Sequence, residues 1–368
     1  MKRILPKFFA LLTLMPLGQN LIIRSSSILV TSSVLLNVQK ANANDAYFYS
    51  KSAYQKFDNN DLNGAISDLT KLIEIDPNYH SGYSRRGYAK MILLQYEDAI
   101  NDFSKAIEVK PDDILAYFNR GLSKQRSGDF VNAIIDFNKV VELDPLKFDT
   151  YTYRGDARAE LKDYTNALID YDKSIELNPR YGVAYFNRGF TKSTQMGLAK
   201  ESIGDFTRAI ELGLGNVAYV NRGIAKLKLK DNNGAINDFN QALKINKKDS
   251  FAYYNRGKAY SEKGKFKNAI SDFLTVLDIN QNRIPKSVVY RNLAVNYGKI
   301  NDGKNLCLYL TKGSSLGDKK SEYIFNEVCK YFIVKQYCQS LQSQCLLPRP
   351  GRRSHSPRPQ RSVDSDTP

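Results

Sequence analysis

Apolar residues recur at helical spacing along most of the chain, from about residue 46 to about residue 318. They form pairs of short segments, and a brief polar turn such as Ser127-Gly128-Asp129 separates the two segments of a pair. This pattern predicts two helices per pair. Proline cannot donate the helical N–H, so it ends the second helix of the first four pairs. These prolines are Pro77, Pro111, Pro145 and Pro179.

The pairs repeat with a period of 34 residues, which the dipeptide Arg-Gly marks. Its six copies are Arg86-Gly87, Arg120-Gly121, Arg154-Gly155, Arg188-Gly189, Arg222-Gly223 and Arg256-Gly257. A tyrosine stands four residues before each glycine: Tyr83, Tyr117, Tyr151, Tyr185, Tyr219 and Tyr253. Twelve residues after the glycine place comes a small residue: Ala65, Ala99, Ala133, Ala167, Ala235 and Ala269. Four further on comes a large one: Leu69, Phe103, Phe137, Tyr171, Phe239 and Phe273.

This combination resembles the tetratricopeptide repeat, over about three quarters of the chain. The resemblance implies an all-α fold, a right-handed α-α superhelix of about eight helix pairs, of which the last is degenerate. Stacking the pairs supplies the core that no single pair can form. Arginine directly before the glycine departs from the family, which usually has leucine there. The pairs are expected to begin near Ala46, His80, Ile114, Phe148, Gly182, Asn216, Ser250 and Pro285.

The fifth repeat is irregular. Its turn, residues 195–200, carries one extra residue, so Ser202 and Phe206 take the small and large places. Its exit, residues 211–215, has no proline and is one residue shorter, which restores the period.

Two recurring residues predict how the helices pack. Glycine in the middle of a helix costs about 1 kcal/mol relative to alanine, so six copies indicate close approach of neighbouring helices. An aspartate directly precedes the large residue in six repeats, and we expect the recurring arginine to pair with it between the two helices of a repeat. These aspartates are Asp102, Asp136, Asp170, Asp205, Asp238 and Asp272.

The resemblance also implies that the first helices line a concave surface where ligands lie. Two residues before the glycine stand Asn119, Asn187, Asn221 and Asn255, which look like the asparagine ladder of peptide-binding superhelical members, including the repeat region of O-GlcNAc transferase. An amide can pair with both the N–H and the C=O of a bound peptide. The alternative is an asparagine that is solvated or bonded between repeats. Other repeats have Lys51, Arg85 and Tyr153 at this place.

Places that flank the asparagines are largely apolar, which is typical of an interaction surface. With the asparagines, they make up the predicted peptide-binding site: Phe118, Phe186, Phe190, Val220, Ile224 and Tyr254. Tyr54, Tyr88 and Leu122 occupy equivalent places, and the fourth repeat offers the acids Asp149, Asp156 and Glu160 instead. The alternative is that some of these side chains pack between adjacent first helices.

Residues 1–43 contain five basic residues and no acid, an apolar run and the small residues Ala41-Asn42-Ala43, which is the pattern of a secretory signal peptide. Export to the periplasm, the thylakoid lumen or the cell exterior is therefore expected. An uncleaved anchor is the alternative, but neither apolar run reaches the roughly 18 residues that span a membrane. Translation could also begin at Met15 and yield a shorter leader.

The composition of the two ends explains most of the basic charge. The chain has 54 Lys and Arg against 38 Asp and Glu, a formal charge of +16. The Pro/Arg-rich segment 346–368, expected to be disordered, holds five Arg and two Asp. Without this segment and residues 1–43, the charge falls from +16 to +8. Nucleic acid is therefore not an expected partner, and RNA binding would depend on the tail.

All four cysteines lie late in the chain, at Cys307, Cys329, Cys338 and Cys345. Their spacing does not match a zinc ribbon or a redox Cys-x-x-Cys motif. After export, either Cys307 with Cys329 or Cys329 with Cys338 is a plausible disulfide. Residues 44–318 are expected to form the repeat array, and residues 319–345 a capping helix over its last apolar face.

The residues present argue against catalysis. The chain has only two histidines, His80 and His355, and no Gly-rich phosphate-binding motif. We therefore expect no catalytic, metal or cofactor site and no small-molecule substrate. The predicted function is a non-enzymatic scaffold that binds a protein or peptide segment in its concave surface. The alternative is an assembly factor for a membrane complex, such as a photosystem, with membrane contact only through the leader or a membrane-protein partner.

Overall fold

The structure, a computed structural model, describes residues 44–279 and 283–330. Apart from turns and two short π-helical segments, these residues form α-helices, which confirms the predicted all-α class. The chain divides into unit 1, Met1–Thr191, and unit 2, Lys192–Pro368. The predicted leader, the end of the predicted cap with Cys338 and Cys345, and the Pro/Arg-rich tail lie outside the described residues.

Unit 1 is a row of helix pairs joined by short turns. Its described helices are α1 (44–58), α2 (Leu62–Ile75), α3 (His80–Ile92), α4 (Tyr96–Val109), α5 (Ile114–Ser127), α6 (Phe130–Leu143), α7 (Phe148–Glu160), α8 (Tyr164–Leu177) and α9 (Gly182–Phe190). From α2 onward each helix packs against the next, and α3, α5 and α7 also contact the next first helix. This nearest-neighbour packing is that of a solenoid, as the 34-residue period predicts.

Unit 2 continues the same arrangement within itself. Its described helices are α10 (Ala199–Glu211), α11 (Gly215–Lys228), α12 (Asn232–Ile245), α13 (Ser250–Glu262), α14 (Phe266–Ile279), α15 (Lys286–Lys299), α16 (Gly303–Ser314) and α17 (Lys319–Ile324). Each helix again packs against its successor, and α11 contacts α13. A π-helical segment, Phe325–Cys329, follows α17 directly.

Short turns of one design begin many of the second helices. The turn residue has a positive φ, and the aspartate after it caps the next helix by accepting a backbone N–H. In the turn before α6, for example, Gly128 has φ +90° and Asp129 accepts the N–H of Asn132. The same pairs recur as Asn60-Asp61, Lys162-Asp163, Lys230-Asp231 and Asn301-Asp302. The cap satisfies one of the N–H groups that a helix start leaves unpaired.

The recurring glycine lies under the large aromatic residue of its own repeat. A Cβ built on Gly223 would lie 2.7 Å from Cε1 of Phe239, which is fully buried. Gly87, Gly121, Gly155 and Gly257 meet the equivalent ring at 2.8 to 3.0 Å. The close approach that six mid-helix glycines predict is thus made between the first-helix backbone and an aromatic ring.

Gly223→Ala is expected to lower the free energy of unfolding by about 1–3 kcal/mol, because Phe239 must move out of its packed position. Gly204→Ala is the matched control, since Gly204 is an exposed helical glycine with nothing within 4 Å of the added Cβ. That substitution is expected to raise the free energy of unfolding by about 0.5–1 kcal/mol. Hydrogen exchange followed helix by helix, in α11 and α12 for Gly223→Ala and in α10 for Gly204→Ala, measures both values. Equal effects at the two sites would contradict the packing argument.

The predicted Arg–Asp pair is formed in every repeat whose two members lie in one unit. Arg120 donates from Nε and an Nη to the two carboxylate oxygens of Asp136, at 2.9 and 2.7 Å. Lys124 adds a third contact to Asp136 at 2.7 Å, and the carboxylate is almost fully buried. Equivalent pairs are Arg86–Asp102, Arg154–Asp170, Arg222–Asp238 and Arg256–Asp272.

The same arginines also bind the preceding repeat, which the sequence did not predict. The second Nη group of Arg120 donates to the hydroxyl of Ser104 on α4, at 3.1 Å. The acceptor is a short polar side chain each time: Thr70 for Arg86, Asn138 for Arg154, Asp172 for Arg188, Thr207 for Arg222 and Asn240 for Arg256. Within one unit, each arginine therefore joins three helices, two of its own repeat and one of the repeat before: Arg86, Arg120, Arg154, Arg222 and Arg256.

The last repeat replaces this ion pair with apolar packing. Leu293 occupies the place of the arginine, directly before Ala294 in the glycine place, and Tyr309 occupies the place of the aspartate. Leu293 is fully buried, and Tyr309 packs against its cluster. Loss of both charges together is consistent with their function as a structural pair.

A π-helical segment, Thr191–Gln195, accommodates the extra residue of the fifth repeat. After it, the N–H of Leu198 reaches back six residues to the C=O of Lys192, whereas Asp129 reaches back five residues to Lys124. Ser202 and Phe206 are fully buried in the small and large places, as predicted. A π-turn is the usual way for a helix to absorb a single insertion.

A disulfide joins α16 to the end of the described chain. Cys307 on α16 bonds Cys329 in the π-helical segment, with the two Cα atoms 5.6 Å apart. This is one of the two pairings that the sequence predicted, and it excludes Cys329 with Cys338. Both cysteines are buried beside Ala294 and Leu310, with Ile324 and Phe325 packed against them.

Among the helices of residues 44–279 and 283–330, none has the length and hydrophobicity that crossing a membrane requires.

Candidate protein-binding surface

One register of the first helices presents apolar side chains to solvent in both units. It is the residue directly after the glycine place: Tyr54, Tyr88, Leu122, Phe190, Ile224 and Val295. Tyr54, Tyr88, Phe190 and Val295 are 40 to 46% exposed, and the other two are half-buried. Asp156 and Lys258 interrupt the register. We call this register, with the place two residues before the glycine, the first-helix face.

The structure places three predicted site residues in the core. Phe118 is 9% exposed and packs against Phe137 and Tyr153, with ring centroids 6.1 and 5.6 Å away. Val220 and Asn255 are 4 and 6% exposed. The place that Phe118 and Val220 share lies between helices because it is one turn from the packed glycine. These side chains contribute packing, as the alternative interpretation of the sequence allowed.

The other predicted apolar residues are half-buried, except Phe190, which is 40% exposed. Phe186 and Phe190 stack on each other with ring centroids 6.3 Å apart. Ile224 is half-buried against the core of unit 2. Tyr254 tilts against Phe273, and burial raises the pKa of its hydroxyl.

The predicted asparagines differ in what their amides contact. The side-chain amide of Asn119 makes no hydrogen bond with any residue that the structure describes. Asn187 donates to Asp156 at 2.8 Å, whereas Asn221 and Asn255 donate to the carbonyls of Val217 and Phe251 on their own helices. The structure adds a fifth asparagine, Asn292, which donates to Val288. The repeat pattern of the sequence did not identify Asn292, because alanine replaces the glycine of this repeat and Asn292 follows Asn255 by 37 residues instead of 34.

Aromatic and cationic groups are already paired at the start of the first-helix face. The guanidinium of Arg85 lies 3.7 Å from the ring centroid of Tyr54, and burial lowers the pKa of Arg85. Such stacking holds the arginine flat and leaves its edge to donate hydrogen bonds.

Asp156 lies at the centre of a hydrogen-bonded polar group in the fourth repeat. Its carboxylate accepts the hydroxyl of Tyr171 at 2.8 Å and the amide of Asn187 at 2.8 Å. Burial raises the pKa of Asp156 to about 7, although the hydrogen bonds from Tyr171 and Asn187 oppose the rise and nearby Glu160 adds to it. The orientation of Asn187 therefore depends on a carboxyl group that titrates near neutral pH.

This titration predicts that the protein loses stability as the pH rises. The folded carboxyl keeps its proton to a higher pH than an unfolded aspartate does, so the free energy of unfolding is expected to fall by about 2 kcal/mol between about pH 5 and pH 7. Asp156→Asn, which mimics the protonated group, is expected to remove this dependence. Hydrogen exchange in α7 and α8 at both pH values measures it. An unchanged pH dependence in the variant would contradict the assignment.

In the described part of the chain, no three His, Cys, Asp or Glu side chains are grouped so that they could hold a metal ion.

Comparisons with known proteins identify the repeats. Models of the tetratricopeptide repeat match residues 95–128 and 223–264, residues 120–181 and residues 250–283. No curated protein matches the sequence significantly.

Solved structures match the fold. A tetratricopeptide repeat protein from Parabacteroides merdae is 20% identical, over 68% of this chain and 98% of that one, with a TM-score of 0.54. PilW, a type IV pilus biogenesis factor, is 13% identical over 58% and 96% of the two chains, with a TM-score of 0.51. A chain of the Cut9–Hcn1 complex is 16% identical over 76% and 55%, with a TM-score of 0.50. At these identities the likeness shows the fold alone.

Tetratricopeptide repeats are typically non-catalytic and form scaffolds for protein–protein interaction. Three observations indicate repeats of this kind: the 34-residue period, the packing of the glycine on the aromatic residue, and the matches to the repeat models. The chain contains tetratricopeptide repeats, which the repeat models match over residues 95–181 and 223–283.

Proposed function

We propose that the chain is an exported, non-enzymatic scaffold whose first-helix face binds a segment of another protein. One observation carries the proposal: the residue after the glycine place is apolar in six first helices and is 40 to 46% exposed in four of them. The register is apolar in three consecutive first helices of unit 1, at Tyr54, Tyr88 and Leu122. Such a row of apolar side chains is typical of an interaction surface, and aromatic residues are frequent anchors in interfaces.

The asparagines supply a second kind of contact. The amide of Asn119 makes no hydrogen bond with a described residue. Asn187 and Asn221 donate from their side-chain nitrogens, and their carbonyl oxygens accept no hydrogen bond from a described residue. A backbone N–H of an extended peptide can donate to such an oxygen. Apolar anchors together with asparagines that pair with the partner's backbone favour a partner segment in an extended conformation.

Charge substitution on the first-helix face tests the proposal. Tyr88→Asp/Phe190→Asp places two charges in the apolar register of unit 1. Val131→Asp/Ile169→Asp is the matched control, since these residues are 58 and 57% exposed on second helices. Affinity capture from a native extract, quantified by mass spectrometry, is expected to lose its specific partners only with the first variant. Capture of the same partners by both variants would contradict binding at the first-helix face.

Export is supported by the leader pattern and by the disulfide, because disulfides persist in oxidising compartments. Cleavage after Ala43 predicts Asn44 as the first residue of the mature chain. N-terminal sequencing of the protein purified from its native host measures this. An intact residue 1 or a start at Met15 would contradict the predicted cleavage.

An assembly factor for a membrane complex is the second candidate, and the leader favours it. In that function the first-helix face would hold a subunit during maturation. Blue-native electrophoresis of membranes from a deletion strain distinguishes it, since loss of one complex is expected only for an assembly factor.

A further inference from the structure

A cleft of about 370 Å³ lies near the C-terminal end of the described part of unit 2. Five residues line it: Arg291 on the first helix α15, and Lys319, Lys320, Tyr323 and Ile324 on α17. Its accessible walls are almost entirely carbon, because the lysine stems, the tyrosine ring and the isoleucine side chain form them. Amphipathic side chains thus give the cleft an apolar interior with charges at its margin.

The positive charge at this margin is only partly neutralised. Arg291 donates to Asp318, whose pKa is held below its ordinary value by hydrogen bonds from Ser321 and Arg291 despite partial burial. Lys319 and Lys320 are exposed and form no ion pair with any described residue. Two ammonium groups therefore border an apolar opening with no carboxylate of the described chain bound to them.

Hydrogen bonds of Asp318 and the disulfide hold both sides of the cleft in place. Asp318 caps α17 by accepting the N–H of Ser321, and it binds Arg291 at the same time, so α15 and α17 share one carboxylate. The Cys307–Cys329 disulfide then holds the segment after α17 to α16. A preformed cleft costs little ordering on binding.

We infer that this cleft binds an acidic segment of the partner protein, with an apolar side chain in the opening and flanking Asp or Glu carboxylates on Lys319 and Lys320. The inference rests on the proposed function, because it names the chemistry of the segment that a protein-binding scaffold would capture. Complementary charge supports this occupant, since an apolar residue between acids matches both the walls and the margin of the cleft. Lys258, which replaces an apolar residue on the first-helix face of unit 2, has the same sign.

The test uses the full mature chain and two fluorescein-labelled peptides. In one, leucine and phenylalanine are flanked on both sides by glutamate. In the other, glutamine replaces every glutamate. Fluorescence anisotropy is expected to show binding of the acidic peptide at least about tenfold tighter than that of the neutral one, with a difference that shrinks between about 0.05 M and about 0.3 M NaCl.

Matched variants locate the site. Lys319→Glu/Lys320→Glu is expected to abolish the preference for the acidic peptide. Lys299→Glu/Lys304→Glu changes the net charge equally at exposed positions outside the cleft, and it is expected to keep most of the preference. Tyr323→Ser is expected to weaken binding of both peptides, because it removes an apolar wall.

The outcomes separate this inference from the proposed function. Equal binding of the two peptides, or equal loss with both lysine pairs, overturns the inference. If that happens while Tyr88→Asp/Phe190→Asp still loses captured partners, the proposed function stands and only the acidic occupant is wrong. If the first-helix variant also loses nothing, both fail.

Discussion

Asp136→Leu is expected to lower the free energy of unfolding by about 3–5 kcal/mol, because it leaves two cations beside a buried site without their carboxylate. Asp136 accepts two hydrogen bonds from Arg120 and one from Lys124, and it is 1% exposed. The loss is expected to be centred on α5 and α6. Hydrogen exchange followed helix by helix measures it, since a global melting curve of a repeat array does not report a single equilibrium.

Two controls distinguish burial of charge from loss of an ion pair in general. Glu142→Ala removes an exposed pair with Lys139 on α6 and is expected to cost less than about 0.5 kcal/mol. Arg120→Leu/Asp136→Tyr reproduces the combination that the last repeat has at Leu293 and Tyr309, and it is expected to recover most of the loss. If the double variant is as unstable as Asp136→Leu, the pair is not the cause.

Removing the disulfide is expected to destabilise the C-terminal end of the described array by about 2–4 kcal/mol. The bond closes a loop between residues 22 apart in sequence, and it holds the six-residue α17 and the π-helical segment after it against α16. A helix this short does not persist alone. Cys307→Ser/Cys329→Ser is therefore expected to raise hydrogen exchange in α17 and to expose Ile324 and Phe325 to proteolysis.

Treatment with a reductant, applied to the wild-type chain and to this variant, supplies the control. Reduction of the wild-type chain is expected to have the same effect on α17 as the double substitution. The variant keeps Cys338 and Cys345, so any remaining response to reductant reports on those two thiols. Protection of α17 that is unchanged in the variant would show that packing alone holds the helix.

The repeat architecture was predictable because each rule appears many times in the sequence. Five glycines have an aromatic residue sixteen places later, and the sixth, Gly189, has one seventeen places later. This recurrence indicates one packing contact, and the structure forms it, for example, between Gly223 and Phe239. The Arg–Asp pair was predictable for the same reason. The contact of the same arginine with the preceding repeat was not, because its acceptors are Ser, Thr, Asn or Asp and share no residue type.

The candidate site was only partly predictable. Which of two adjacent first-helix places faces solvent depends on the rotation of the helix, and Phe118 was assigned to the surface although it packs on Phe137. The cleft at Arg291 combines residues from α15 and α17, where the 34-residue period no longer holds. A search for residues that recur with the period cannot find such a site, because each of its residues occurs only once.

The arginine contacts between repeats also bear on how the gene for such a chain changes length. Each of the first six repeats offers a short hydrogen-bond acceptor to the arginine that follows it. Deleting or duplicating a whole 34-residue block within a unit therefore joins an arginine to a new acceptor of equivalent reach. Deleting or duplicating a block of any other length moves the arginine away from its acceptor. Recombination that adds or removes whole repeats therefore keeps the hydrogen bond between each arginine and the repeat before it. The number of repeats can change without loss of this contact.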